Sequence, residues 1–139
     1  MLKELEGFIE RVVEYLDGDV TIILFGSYAR GDYNLASDID LIVISDRLKG
    51  NPLERTKKLY ELNSDFLSLD LLAYRKKEFL KALESLSPSA LDAMVEGKVF
   101  YDNGFYRVAK RFFENLRKKG IKEREVLDDN QQMNVVNDR

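Results

Sequence analysis

The sequence predicts an α/β (α+β) fold, a small mixed β-sheet flanked by helices, and three observations carry that expectation. Short β-branched, apolar runs occur at Val20–Phe25 and Asp38–Ile44, the pattern of buried strands, and a third strand-like apolar run follows at Phe66–Tyr74. Between and around them lie longer stretches with apolar residues at helical spacing. The chain has 139 residues with 45% hydrophobic content, enough for the core of a single domain.

The elements follow in order. Leu2, Leu5, Phe8, Ile9, Val12, Val13 and Leu16 keep helical spacing, so residues 2–16 form an amphipathic helix that Asp17-Gly18-Asp19 ends. The first strand, residues 20–25, runs into Gly26-Ser27-Tyr28-Ala29-Arg30-Gly31. A polar loop, residues 32–37, leads to a second strand opening with Asp38-Ile39-Asp40. Asn51-Pro52 supplies a cap and a first-turn proline for a helix through about Leu62. The third strand, residues 66–74, passes into a lysine-rich helix with Phe79, Leu80 and Leu83 on one side. Ser87-Pro88 repeats the cap-and-proline signal, and Gly97 stops that helix. Residues 98–102 read as a short edge strand. A last helix carries Phe105, Val108, Ala109, Phe112, Phe113 and Leu116, with Gly120 closing it. Phe112 and Phe113 fit a core or a partner seam better than a base-stacking platform. The expected division is a domain over residues 1–120 and a polar tail over 121–139, part of which can extend a helix or bind a partner.

The chemistry concentrates in three carboxylates. Side chains on a strand alternate between faces, so Asp38 and Asp40 are expected to point the same way, with Cα atoms about 6–7 Å apart. Such a pair repels itself and resists desolvation. Asp70 sits among apolar residues of the third strand, where a charge needs a partner, a proton or a metal. If that strand lies beside the Asp38–Asp40 strand, all three carboxylates can meet. A pair of divalent cations would relieve the repulsion and serve an in-line displacement. Oxygen-only ligands favour Mg²⁺, with Mn²⁺ as an alternative. The chain has no His and no Cys, which excludes a soft-metal site. Read singly, each motif has a plainer explanation: a solvated strand start for Asp38-Ile39-Asp40, an ordinary strand-to-helix turn for Gly26-Ser27, a solvent-facing strand residue for Asp70, and a surface ion pair with Asp32 for Arg30. Lys57, Lys58, Arg75, Lys76 and Lys77 fit a solvated helix face better than phosphate binding.

Taken together, Gly26-Ser27, Ser37-Asp38-Ile39-Asp40-Leu41 and the later Asp70 between leucines resemble the signature of the DNA polymerase β-like nucleotidyltransferase superfamily. The similarity is greatest to its minimal nucleotidyltransferase (MNT) branch and covers about residues 20–102. The resemblance implies that Asp38, Asp40 and Asp70 are catalytic and hold two Mg²⁺ ions, with Asp70 serving the metal that activates the acceptor hydroxyl. It also implies that Gly26, Ser27 and Arg30 bind the phosphates of ATP as nucleotide donor. MNT proteins are often paired with a HEPN-family toxin, act as its antitoxin, and in some cases transfer AMP onto a toxin tyrosine.

The remaining composition bounds the function. A net charge of −3 gives no broad basic surface and speaks against avid nucleic-acid binding. There is no bilayer-spanning apolar run and no signal-peptide pattern at the start. With no cysteine, a cytoplasmic location is expected. Few residues remain after the catalytic core to bind an acceptor, so a homo- or hetero-oligomer is expected. Three readings stay open: a protein-modifying nucleotidyltransferase, an antitoxin acting by contact alone, and a stand-alone transferase acting on a small molecule or RNA.

Overall fold

The computed structural model describes residues 2–131, with side chains over residues 3–120. Helix α1 (Leu2–Tyr15) precedes β1 (Thr21–Phe25), the short α2 (Gly26–Arg30), β2 (Ile39–Ile44) and α3 (Pro52–Tyr60). Then come β3 (Leu69–Tyr74), α4 (Lys76–Glu84), α5 (Pro88–Glu96), β4 (Lys98–Tyr101) and α6 (Phe105–Gln131). The four strands form one mixed sheet in the order β3-β2-β1-β4. Strand β1 runs antiparallel to β2 and β4, while β2 and β3 run parallel.

Strand alternation divides the core between the two faces of the sheet. Ile22, Leu24, Leu41 and Val43 pack against Leu5, Phe8 and Val12 of α1, Leu16 just after it, and Leu59 of α3. Ile23, Phe25, Ile42 and Ile44 pack against Phe79 and Leu83 of α4, Ala90, Ala93 and Met94 of α5, and Phe105, Ala109 and Phe113 of α6. Each fully buried Leu, Ile or Phe contributes about 1.5–3 kcal/mol of transfer free energy. The central strands are apolar on both faces because both faces are covered.

The helix signals operate as the residue types dictate, with three differences. Asn51 and Glu54 form a reciprocal capping box at α3, behind Pro52. Ser87 occupies the N-cap of α5 ahead of Pro88, yet its hydroxyl makes no cap bond. Gly97 ends α5 in extended rather than left-handed backbone, with φ −71°. Glycine is needed there because a Cβ would lie 2.6 Å from Ile23 Cγ2 and overlap the Ala93 carbonyl oxygen. Gly120 does not close the last helix: α6 continues to Gln131. A Cβ at Gly120 would meet nothing, so this glycine costs helix propensity without breaking the helix. The last part of the predicted tail, residues 132–139, lies outside the described residues.

The third strand is shorter than predicted. Phe66 has φ 55° and is 90% exposed, so it belongs to a turn. Asn63 holds that turn, accepting from Leu67 N–H at 2.9 Å and donating to the Leu67 carbonyl at 2.8 Å. The asparagine side chain replaces the ladder bonds that an apolar run alone suggested.

Candidate active site

The site lies where β1 ends and β2 and β3 begin. Parallel pairing of β2 with β3 sets Asp40 directly beside Asp70. Antiparallel pairing with β1 sets Asp40 opposite Phe25, the residue before Gly26. Three segments distant in sequence thus meet at one end of the sheet. Asp38 precedes β2 rather than opening it. Its carboxylate accepts a hydrogen bond from the Ser68 hydroxyl, and the Ile39 N–H donates to the Ser68 carbonyl at 2.8 Å.

Gly26 is fixed by two requirements. Its φ is +75°, a region that L-residues rarely adopt. A Cβ there would also overlap Asp40 Oδ2 and lie 3.0 Å from its Cγ. The glycine therefore admits the Asp40 carboxylate against the backbone, a reason that the sequence alone did not supply. Ser27 is half-buried, and among the described residues its hydroxyl has no hydrogen-bond partner.

Asp40 is electrostatically strained. Its carboxyl is pushed up to about 6, first by burial and then by the charges of Asp70 and Asp38, a hydrogen-bonding contact with Asp70, and Asp92. Parallel register sets Asp70 beside it, so a proton on Asp40 is the metal-free means of relieving that repulsion. Among the described residues, no three carboxylates are drawn into one metal-ligating cluster. The donor set still suits a hard divalent cation: all its ligating atoms are oxygens, and a cation would offset the charge that burial and crowding penalise.

Asp92, on α5, is the carboxylate that sequence reasoning missed. Its Oδ2 accepts from the Gly26 N–H at 3.2 Å and lies 3.5 Å from Arg30 Nη1. No local motif marks it, because it reaches the site only through the packing of α5 beside α2. Arg30 also pairs with Asp32 at 3.3 Å and Glu96 at 3.6 Å. The competing expectation of an Arg30–Asp32 pair is thus present in the structure, with two further carboxylates around the same guanidinium. Arg75 and Lys76 are engaged away from the site. Arg75 Nε donates to the Leu48 carbonyl at 3.0 Å, and Lys76 Nζ lies 5.9 Å from the Phe105 ring centroid. Lys57, Lys58 and Lys77 are exposed on helix surfaces.

Comparison with known proteins gives the family and the fold. The family model described as "Nucleotidyltransferase domain" matches residues 5–135. A Methanocaldococcus jannaschii protein provisionally named a protein adenylyltransferase is 29% identical over 119 residues, covering 81% of this chain and 78% of its own. A second such protein from the same organism is 44% identical over 45 residues, or 32% of this chain and 45% of its own. Among solved structures, a chain of a toxin–antitoxin complex with AMP-PNP superposes with TM-score 0.56 at 21% identity, covering 92% of this chain and 98% of that one. A chain from the complex of tri-AMPylated Shewanella oneidensis HEPN toxin with MNT antitoxin gives TM-score 0.51 at 20% identity, covering 95% and 98%. The structural likenesses establish the fold, and the family match extends over nearly the whole chain. With Gly26-Ser27, Asp38, Asp40 and Asp70 gathered at one end of its sheet, the chain belongs to the nucleotidyltransferase domain family and is a nucleotidyltransferase.

Proposed function

We propose that the protein transfers AMP from ATP to a hydroxyl of a HEPN-type ribonuclease toxin and thereby acts as its antitoxin. The observation that carries this reading is the in-register pair Asp40–Asp70 beside the Gly26-Ser27 turn. The names of its relatives and of the complexes it resembles support the nucleotide and the partner.

In this reading the acceptor oxygen forms a bond to the α-phosphorus of ATP. The bond from that phosphorus to the α,β-bridging oxygen breaks, and pyrophosphate leaves. Asp70, the most exposed of the register pair, takes the acceptor proton. Asp38, Asp40 and Asp70 would hold Mg²⁺, which supplies charge neutralisation at the phosphates and activation of the acceptor hydroxyl. The Ser27 hydroxyl, free of other partners, is available to a phosphate oxygen. Arg30 reaches the triphosphate by exchanging its carboxylate partners for phosphate, a like-for-like exchange of anions. A nucleotide added beside an RNA-cleaving site puts negative charge and bulk where RNA phosphate must sit.

Transfer of label from ATP marked at the α-phosphate tests this, with Mg²⁺ and the protein encoded beside this one, or a lysate of the source cell. A labelled protein band that disappears with Asp38→Asn/Asp40→Asn is the expected result. A band that persists in the double variant overturns the site. No label, with tight partner binding by both forms, replaces the enzyme by a contact-only antitoxin. That second reading is favoured by one observation, the three carboxylates surrounding Arg30.

A further inference from the structure

Strand β3 is an edge of the sheet, so one row of its backbone groups has no neighbouring strand. The Ser68 and Tyr74 carbonyls accept from Ile39 and Ser45, at the two ends of β2. Alternation therefore turns the backbone groups of Asp70 toward β2 and those of Leu69 and Leu71 outward. On the outer side the Tyr60 hydroxyl takes the place of a strand. It donates to the Leu69 carbonyl at 3.2 Å and accepts from the Leu71 N–H at 2.9 Å. The two bonds bracket Asp70. Tyr60 is the last residue of α3, adjacent to fully buried Leu59, so its ring is carried by a packed element.

We propose that Tyr60 is a positioning residue for Asp70. Its hydroxyl ties the peptide units on both sides of Asp70 to α3 and so fixes the carboxylate relative to Asp40. This rests on the reading above, in which Asp70 serves the metal and the acceptor. An edge strand whose outer groups bond only to water opens locally at little cost, and a shift of about 1 Å in a catalytic group can cost on the order of a hundredfold in rate. Loss of a group that orients a metal ligand typically lowers metal affinity by roughly 10- to 100-fold. Tyr60 touches neither substrate nor metal in this account. Its effect passes through the strand.

Tyr60→Phe, Asp70→Asn and the double variant test the proposal in the full chain. Two quantities are measured: Mn²⁺ affinity by electron paramagnetic resonance with AMP-PNP present, and amide exchange at Leu71 by nuclear magnetic resonance. Tyr60→Phe keeps the ring, and since Tyr60 is 39% exposed water replaces the lost bonds, so melting temperature changes little. The expected result is faster exchange at Leu71, Mn²⁺ binding weakened by about 10-fold, and no further weakening when Tyr60→Phe is added to Asp70→Asn. Wild-type exchange at Leu71, wild-type Mn²⁺ affinity in Tyr60→Phe, or an additive loss in the double variant would each overturn the proposal. If Asp70→Asn alone binds Mn²⁺ like wild type, the metal role of Asp70 fails, and the positioning role fails with it. That outcome is distinguished from failure of Tyr60 alone by the Asp70→Asn arm.

Discussion

At the scale of single residues, charge crowding at Asp40 dominates. Its carboxyl is raised from 3.8 to about 6 in the folded chain. The folded state therefore holds that proton more tightly than the unfolded state does. The stability this contributes is complete below pH about 4 and is lost as pH rises through about 6. In metal-free protein, Asp40→Asn should flatten this part of the stability–pH curve, as read by thermal melts across pH 4–7. An unchanged curve would remove Asp40 as its source. The same substitution should abolish Mg²⁺-dependent transfer while leaving the fold intact or slightly stabilised at neutral pH. Gly26→Ala should be destabilising by about 1–2 kcal/mol from its positive φ alone, with a further loss from displacement of Asp40. Denaturant unfolding and label transfer would show both losses together. Gly26 was legible as a motif residue, but its contact with Asp40 required a β1–β2 register that no local pattern specifies.

At the scale of elements, the helices are tied to the sheet by a few polar side chains. Arg55 of α3 is only 4% exposed, and its Nη1 pairs with Glu78 Oε1 of α4. Its Nη2 donates to the Gly50 carbonyl at 3.1 Å. Glu78 also accepts from the Arg75 N–H at 2.7 Å, capping α4. The Arg55 hydrogen bond is the largest influence and holds the Glu78 carboxyl below its usual range; burial opposes it, and the Arg75 backbone hydrogen bond and the charges of both arginines add to the lowering. This contribution is present above the ordinary carboxylate range and is lost as pH falls through the folded value. Glu78→Ala should cost about 2–3 kcal/mol, because it leaves a buried guanidinium without its anion. The figure is below that of a fully enclosed pair because Glu78 is 44% exposed. A denaturation midpoint equal to wild type would show that water takes over the role of Glu78. Gly120→Ala should act in the other direction. The position is helical, exposed and open, so alanine should add up to about 1 kcal/mol and raise helicity by circular dichroism. No gain would show that helix propensity at this point does not limit stability. Sequence reasoning took Gly120 as a stop because glycine commonly ends helices. It does not stop this one because that signal is a preference, and continued helical backbone at residues 121–131 overrides it.

At the scale of the molecule, the sheet serves as a septum between two cores and as the frame that collects the site. Covering both faces leaves the ends of the strands as the place for polar chemistry, and Asp40, Asp70 and the Gly26 turn all lie at one end. No helix among the described residues is long and apolar enough to cross a membrane. The partner-dependent reading predicts that wild type and Asp38→Asn/Asp40→Asn both bind the same toxin, while wild type alone labels it. Co-purification followed by mass measurement of the toxin checks this. Addition of an AMP mass by both forms would refute the role of the aspartates.

The sequence by itself determined the element order, the fold class and the family signature, because each is written in local periodicity or short spacing. Tertiary structure decided what depends on register and on packing between distant segments. It set Asp40 beside Asp70, placed the Asp40 carboxylate against the Cα of Gly26, and brought Asp92 from α5 to the Gly26 N–H and Arg30. It also trimmed the strand ends at Phe66 and Asp38, where side-chain hydrogen bonds from Asn63 and Ser68 take the place of the ladder. The physical reason is the same in each case. Periodicity reports which face of an element is apolar, whereas the polar contacts of a site are fixed by which elements those faces bring together.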